Sequence, residues 1–312
     1  MLAQADSPRW LRIARSPWSF LAAAACLAAP TLHEVLTATG GTPAVPLDDS
    51  YIHFQFARSF AEGHPFVYSP GAAPVAGATS LLWPLALALP QLFGTRGSDL
   101  IFWAWGFGFL GLGLLAYETA RAAERIIDPR CAWFCGVLTL TFSANTWFAA
   151  SGMEVVPFAW LLMRSARRAA EWHEGDRERS WELLLLAFAA PAMRPEGALG
   201  SLFIASALLL CESGAKRALG VLAVGFIGVP PLVYQLFTGH ATQTTTLVKW
   251  LPFSPYLTFG GVLDTVLGNV HLFASTLLDG QLWSAAYVPE HSRFIALLAL
   301  PALIFAGQAR HA

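Results

Sequence analysis

The chain has 312 residues, of which 55% are hydrophobic and only 12% charged, with a formal net charge of −1. A soluble domain carries about 25% charged residues, so a fully water-covered surface is excluded, as are intrinsic disorder and nucleic-acid binding through a basic face. Apolar runs bounded by arginine clusters instead predict an all-α polytopic integral membrane protein, one domain over residues 1–312 with about eight membrane segments.

Arg9, Arg12 and Arg15 precede an apolar stretch from Trp18 to Leu36. Its shape fits a signal peptide, but the runs that follow make an uncleaved first transmembrane helix, N-terminus inside, the expectation. Residues 39–78 then form the first external loop. Thr79–Gly94 is about sixteen residues long and broken by Pro84 and Pro90, short of the about 20 a spanning helix needs. The next run, Leu100–Ala120, leads into Arg121, Arg125 and Arg130. That cluster is cytoplasmic, as the positive-inside rule asks, only if Thr79–Gly94 dips in or lies at the outer interface. Ala132–Ala150 then runs outward, Ser151–Glu154 turns outside, and Val155–Met163 returns to a cytoplasmic loop over 164–180 that carries Arg164, Arg167, Arg168, Arg177 and Arg179. Trp181–Ala192 and Ala198–Cys211 form a hairpin with Arg194-Pro195-Glu196 at its outer tip. Ala218–Phe237 crosses outward, 238–292 is external or interfacial, and Phe294–Ala306 returns inside.

Fourteen of the nineteen Lys and Arg residues then face the cytoplasm, leaving Arg58, Arg96, Arg194, Lys249 and Arg293 outside. Cations kept outside against the bias point to anion binding. Cys26, Cys131, Cys135 and Cys211 lie in apolar segments and read as ordinary buried thiols. Gly106, Gly108 and Gly111 satisfy G-x-G-x-x-G within an apolar helix that no strand precedes, a pattern of close helix packing rather than nucleotide binding.

In the first external loop, Ile52, Phe56 and Phe60 recur at four-residue spacing opposite Tyr51, Gln55, Arg58 and Glu62. This predicts an amphipathic helix of about three turns, ended by Gly63 and Pro65 and lying flat on the outer membrane surface. Asp48 and Asp49 suit an N-cap and the helix dipole. One acid suffices for that role, so the pair is in surplus.

The sequence from Asp48-Asp49-Ser50-Tyr51-Ile52 through Phe56-Ala57-Arg58-Ser59-Phe60-Ala61-Glu62-Gly63-His64-Pro65-Phe66-Val67-Tyr68-Ser69-Pro70-Gly71 to Ala78-Thr79-Ser80-Leu81-Leu82-Trp83 resembles the first external loop of bacterial GT-C glycosyltransferases, in the arabinofuranosyl- and mannosyltransferase-like branches. Ser151-Gly152-Met153-Glu154, Arg194-Pro195-Glu196-Gly197 and Thr244-Thr245-Thr246-Leu247-Val248-Lys249 resemble later motifs of the family, in the same order, so the likeness covers most of residues 15–255. Three positions depart from the family pattern: Gln55-Phe56 replaces Arg-Tyr, Val75-Ala76-Gly77-Ala78 replaces Val-Glu-Gly-Tyr, and Thr244-Thr245 replaces Asn-Thr. Relatives also usually continue beyond the length seen here, so a truncated or divergent member is an expectation too.

The resemblance implies a multi-pass enzyme of the bacterial inner membrane, working on the periplasmic side. It would transfer a sugar from a polyprenyl-phosphate donor to an envelope glycan or lipid acceptor. Asp48 and Asp49 would act as the base, with Asp48 favoured. Arg58, Arg194 and Lys249, with Tyr51, His53 and His64 as further contacts, would bind donor phosphate and sugar. Glu154 and Glu196 would orient those cations or bind sugar hydroxyls. Bland roles stand beside these: a structural ion pair for Arg194 with Glu196, interfacial snorkelling for Lys249, and helix capping for Glu154. No cofactor is certain; a divalent cation on the aspartate pair and Glu154 is left open. The alternative class is a transporter or lipid flippase, which is expected to place acids near mid-membrane in paired repeats.

Overall fold

Long apolar runs with few breakers favour helix throughout, and the computed structural model is helical with no strand among the described residues, which are 13–125, 127, 129–243, 251 and 256–279. In chain order the helices are α1 (Pro17–Ala38), α2 (Asp48–Ala61), α3 (Leu82–Leu92), α4 (Leu100–Ala123), α5 (Pro129–Thr141), α6 (Ser143–Ala150), α7 (Val155–His173), α8 (Ser180–Met193), α9 (Ala198–Cys211), α10 (Ala218–Gly225), α11 (Val229–Thr238) and α12 (Phe259–Asp279). Three stretches are long and apolar enough to cross a membrane: Pro17–Ala38, Gly97–Ala123 and Gly214–Thr238. The pair α6 and α7, bent by 118°, makes a fourth if counted as one span. The other apolar helices are shorter than a crossing requires.

α4 is the central post. It packs against α1, α5, α6 and α7, while α9 joins α7, α8 and α10. Glycine lets the backbones approach. A Cβ on Gly108 would sit 2.1 Å from the Ala149 carbonyl oxygen, and one on Gly111 3.0 Å from the Pro157 nitrogen, whereas Gly106 faces open space. The G-x-G-x-x-G match is thus a packing seam at two of its three glycines.

The bundle has two unlike ends. At one, Arg15 at the start of α1 donates to Glu124 after α4 (2.6 Å), and Arg125 pairs with Glu174 (2.6 Å). Arg164 donates to Glu182 at the start of α8 (2.9 Å), Arg167 to Glu118 of α4 (3.1 Å), and Arg177 pairs with Glu212 after α9 (3.2 Å). The expected loop over 164–180 is therefore mostly helix: α7 continues to His173 because its arginines meet carboxylates of α4, α8 and its own next turn. At the opposite end lie α2, the turn between α6 and α7, and the tip between α8 and α9. α3 starts at that end, where the Leu81 amide donates to Ala192 (3.0 Å). α4 also starts there, where the Trp105 indole donates to Ala150 (2.7 Å). At 11 residues α3 is shorter than a crossing requires, and it packs against α2 and the start of α4.

Two expectations change. Cys26 is exposed and Cys135 and Cys211 are half-buried, Cys211 packing against the core beside His173, so none of these three is a fully buried thiol. α2 does not present its apolar stripe to lipid. Phe56 is 2% exposed because the loop after α2 folds back over it, with Tyr68 at 5.6 Å between ring centroids and Gly77 close enough that a Cβ would lie 3.1 Å from the ring. Phe60, Phe66 and Tyr234 continue this aromatic cover. α12 falls in the 238–292 segment and exposes Leu263, Val266, Leu267, Val270 and Phe273.

Gly108→Ala is expected to lower stability by about 1–3 kcal/mol through overpacking, and Gly106→Ala to leave it unchanged or raise it by up to about 1 kcal/mol. Thermal unfolding in detergent, followed by tryptophan fluorescence, distinguishes the two.

Candidate functional site

The turn from Ser151 to Glu154 organises the end opposite the arginines. α6 ends here, and the last carbonyls of a helix have no intrahelical partner. Three successive ones are taken by side chains. Trp105 donates to Ala150 (2.7 Å), the Ser50 hydroxyl to Ser151 (2.7 Å) and the Trp83 indole to Gly152 (3.1 Å). Gly152 has φ of +79°, and a Cβ there would lie 3.0 Å from Phe54 and from Val45, so both conformation and space call for glycine. The turn is thereby locked onto α2, α3 and α4, and it aims Glu154 inward.

Glu154 is 0% exposed. It occupies the N-cap position of α7, but its side chain makes no capping bond. Instead Oε1 accepts from Arg194 Nη1 at 2.9 Å, and Oε2 lies 3.3 Å from Nε2 of His53, itself 2% exposed. Arg194, at the α8–α9 tip, also donates to Glu196 through Nε and Nη2, both at 3.4 Å, and lies over the Phe158 ring. Its side chain is 26% exposed, so the row His53, Glu154, Arg194, Glu196 runs from the interior to the surface.

The electrostatics follow from burial. Loss of solvent pushes the His53 imidazole below the usual value of about 6.5. The Glu154 and Asp49 charges pull it up and that of Arg194 adds to the fall. For Arg194, burial works against the charge, but the hydrogen bonds and charges of Glu196 and Glu154 outweigh it and raise its pKa. Burial likewise disfavours the Glu196 charge, and its own backbone amide together with Arg194 outweighs that, so its pKa falls.

Asp48 and Asp49 stand exposed in the first turn of α2. Leu47, not an acid, is the N-cap, and Asp48 accepts from the Asp49 amide (2.9 Å). Asp49 is one turn before His53 and on the same face; Asp48 is on the neighbouring face with Tyr51. Tyr51 is exposed and its hydroxyl accepts from the Val45 amide (3.3 Å). Arg58 is exposed and pairs loosely with Glu62 (3.8 Å), and His64 is exposed beyond the helix end. Lys249, with Thr244–Thr246, lies outside the described residues, as does Arg293.

No group of three or more His, Cys, Asp or Glu among the described residues is placed to hold a metal ion. Glu154 is committed to Arg194 and buried, while the aspartates stand at the surface, so the three carboxylates considered for a divalent cation do not converge. Beside the tip is an apolar cavity of about 340 Å³ lined by Pro191, Pro195, Pro230, Pro231 and Tyr234, with Gln243 bridging Tyr234 (3.2 Å) and the Thr79 carbonyl (3.0 Å) at its base. Sequence reasoning missed Ser50, Trp83 and Trp105 as supports of the site. Ser50 and Trp83 stood within the quoted motif, yet a single hydroxyl or indole carries no periodic signal.

Comparisons of the chain with protein-family models, curated proteins and solved structures found no match.

Glu154→Gln is expected to cost about 1–3 kcal/mol, because half-buried Arg194 loses its charged partner, with the loss read as a lower unfolding midpoint in detergent. The pH dependence has a definite sign. An unfolded chain takes up the His53 proton near pH 6.5, while the folded chain resists it to a lower pH. This contribution to stability is complete above about pH 6.5 and is lost as pH falls towards the depressed value. His53→Gln should flatten that part of the stability profile.

Proposed function

We propose that the chain is a membrane glycosyltransferase that moves one sugar, with inversion, from a polyprenyl-phosphate donor to an envelope glycan or lipid acceptor. The observation that carries this reading is convergence. Three stretches resembling the GT-C motifs in order, beginning at Asp48, Ser151 and Arg194, touch one another at one end of the bundle through Ser50 with Ser151, His53 with Glu154, and Glu154 with Arg194. Packing alone would be served by apolar side chains at these contacts; ionisable ones at a surface-reaching site suit chemistry.

In this reading the acceptor hydroxyl gives its proton to Asp48 or Asp49 as its oxygen bonds the sugar C1. The bond from C1 to phosphate oxygen breaks with its electron pair going to the phosphate. Arg194, held in one orientation by two carboxylates, meets that charge together with Arg58 and Lys249, while Tyr51, His64 and Glu196 are available to sugar hydroxyls. The proline-lined cavity beside Arg194 suits an apolar chain. With about eight membrane segments, the arginine-rich end faces the cytoplasm under the positive-inside rule, and the site faces the outside of a bacterial inner membrane.

Transfer assays with Asp48→Asn and Asp49→Asn test the reading. At least one variant is expected to lose about 10²-fold or more in rate, and full activity in both would end it. Proteoliposomes loaded with substrate separate the transporter alternative: a transferase forms a new glycosidic product without net substrate movement, whereas flux without product favours a transporter or flippase.

A further inference from the structure

We infer that Glu154 and His53 form a buried proton relay behind Asp49, in which Glu154 orients the imidazole and His53 Nδ1 receives the proton that Asp49 takes from the acceptor. The inference rests on the transferase reading and adds to it a residue that does not itself touch substrate.

Two unmet polar atoms carry the argument. Nδ1 of His53 and Oε2 of Glu154 are both buried with no hydrogen-bond partner among the described residues, although the two side chains face each other at 3.3 Å from Nε2 to Oε2. A buried polar atom left unpaired costs about 1–3 kcal/mol, so its retention calls for a reason. The contact assigns the tautomer. Oε2 lies 3.3 Å from Nε2 and has no other partner, so a proton on Nε2 gains that carboxylate after a small turn of either side chain, and this tautomer leaves the Nδ1 lone pair open. A carboxylate that fixes one ring nitrogen so that the other stays basic is the arrangement by which an acid and an imidazole make a base.

The charged groups around the ring are Asp49 on its own helix, Glu154 from the α6–α7 turn and Arg194 from the α8–α9 tip. Burial makes an imidazolium costly there, Glu154 and Asp49 offset part of that cost, and Arg194 adds to it. Asp49, one turn earlier on the same face, is the exposed member able to meet an acceptor. The step balances. The acceptor O–H bond breaks and its proton goes to the Asp49 carboxylate. It then passes to Nδ1 by rotation of Asp49 or through one water. Asp49 is left ionised, and the proton returns to solvent by the same route after product leaves. This singles out Asp49 within the acidic pair, because Asp48 lies on the neighbouring face and is tied to the Asp49 amide.

The test has an arm that needs no turnover. In ¹⁵N-histidine spectra of the detergent-solubilised chain, with His53→Gln identifying the resonance, His53 is expected as the Nε2–H tautomer when neutral. Its titration midpoint should fall by about half a pH unit in Asp49→Asn, and should fall also in Glu154→Gln. An Nδ1–H tautomer, or a midpoint unmoved by Asp49→Asn, overturns the relay. In transfer assays, His53→Gln is expected to lower kcat at least about tenfold at unchanged donor KM. The acid limb of its pH profile should move, because the imidazole no longer titrates. An unchanged kcat and pH profile in folded His53→Gln overturns the relay while leaving the transferase reading intact. Full activity in both Asp48→Asn and Asp49→Asn removes that reading, and with it the relay.

Discussion

A carboxylate with no exposure to solvent sets the terms for the rest of the site. Glu154 buried alone would cost several kcal/mol, and it is tolerated because Arg194 arrives from one side and His53 from the other. Those partners come from elements far apart in sequence. Satisfying one side chain therefore requires α2, the α6–α7 turn and the α8–α9 tip to be in register together. The three carbonyls before Glu154, each taken by a side chain of another helix, hold the turn that aims it. Loss of the register at any of the three would expose an unpaired charge, which is a strong bias against alternative packings.

The opposite end of the bundle handles charge differently. There Arg15, Arg125, Arg164, Arg167 and Arg177 each meet a carboxylate of another helix, with Glu118 and Glu182 drawn into the same set. These pairs tie helix ends together and let α7 run on as helix where the arginines alone suggested a loop. Between the two ends, the bundle closes on glycine: Gly108 and Gly111 allow α4 to touch the backbone at Ala149 and Pro157 directly. One end is a lattice of matched charges; the other joins a few buried ionisable groups to exposed acids and an apolar cavity.

Much of this was legible in the residues. Helix α2 could be read from Asp48 to its stop at Gly63, since an acidic first turn, a four-residue apolar repeat and a glycine in the left-handed region (φ +78°) are local signals. The shortness of α3 was equally local, since Pro84 and Pro90 interrupt its apolar run. The covering of α2 was not legible, because amphipathicity says that a face will be buried and is silent on whether lipid or the chain's own loop buries it. Phe66 and Tyr68 returning over Phe56 is a contact made by tertiary folding. The same limit applied to the cysteines: an apolar neighbourhood in sequence does not say which side of the helix faces the bundle.

Composition and apolar runs by themselves determined that the chain is helical, with stretches long and apolar enough to cross a membrane, and marked Asp48, Asp49, Glu154, Arg194 and Glu196 as charges between those runs. Scarce charge in an apolar chain is conspicuous, and each charged residue stands out against the run beside it. Only the tertiary structure decided which of these groups touch, which are dry and which stay at the surface. It joined Glu154 to His53 and Arg194 and left Asp48 and Asp49 exposed. A pairing across a hundred residues depends on how helices pack, and packing is set by shape and burial at contacts that no local spacing encodes.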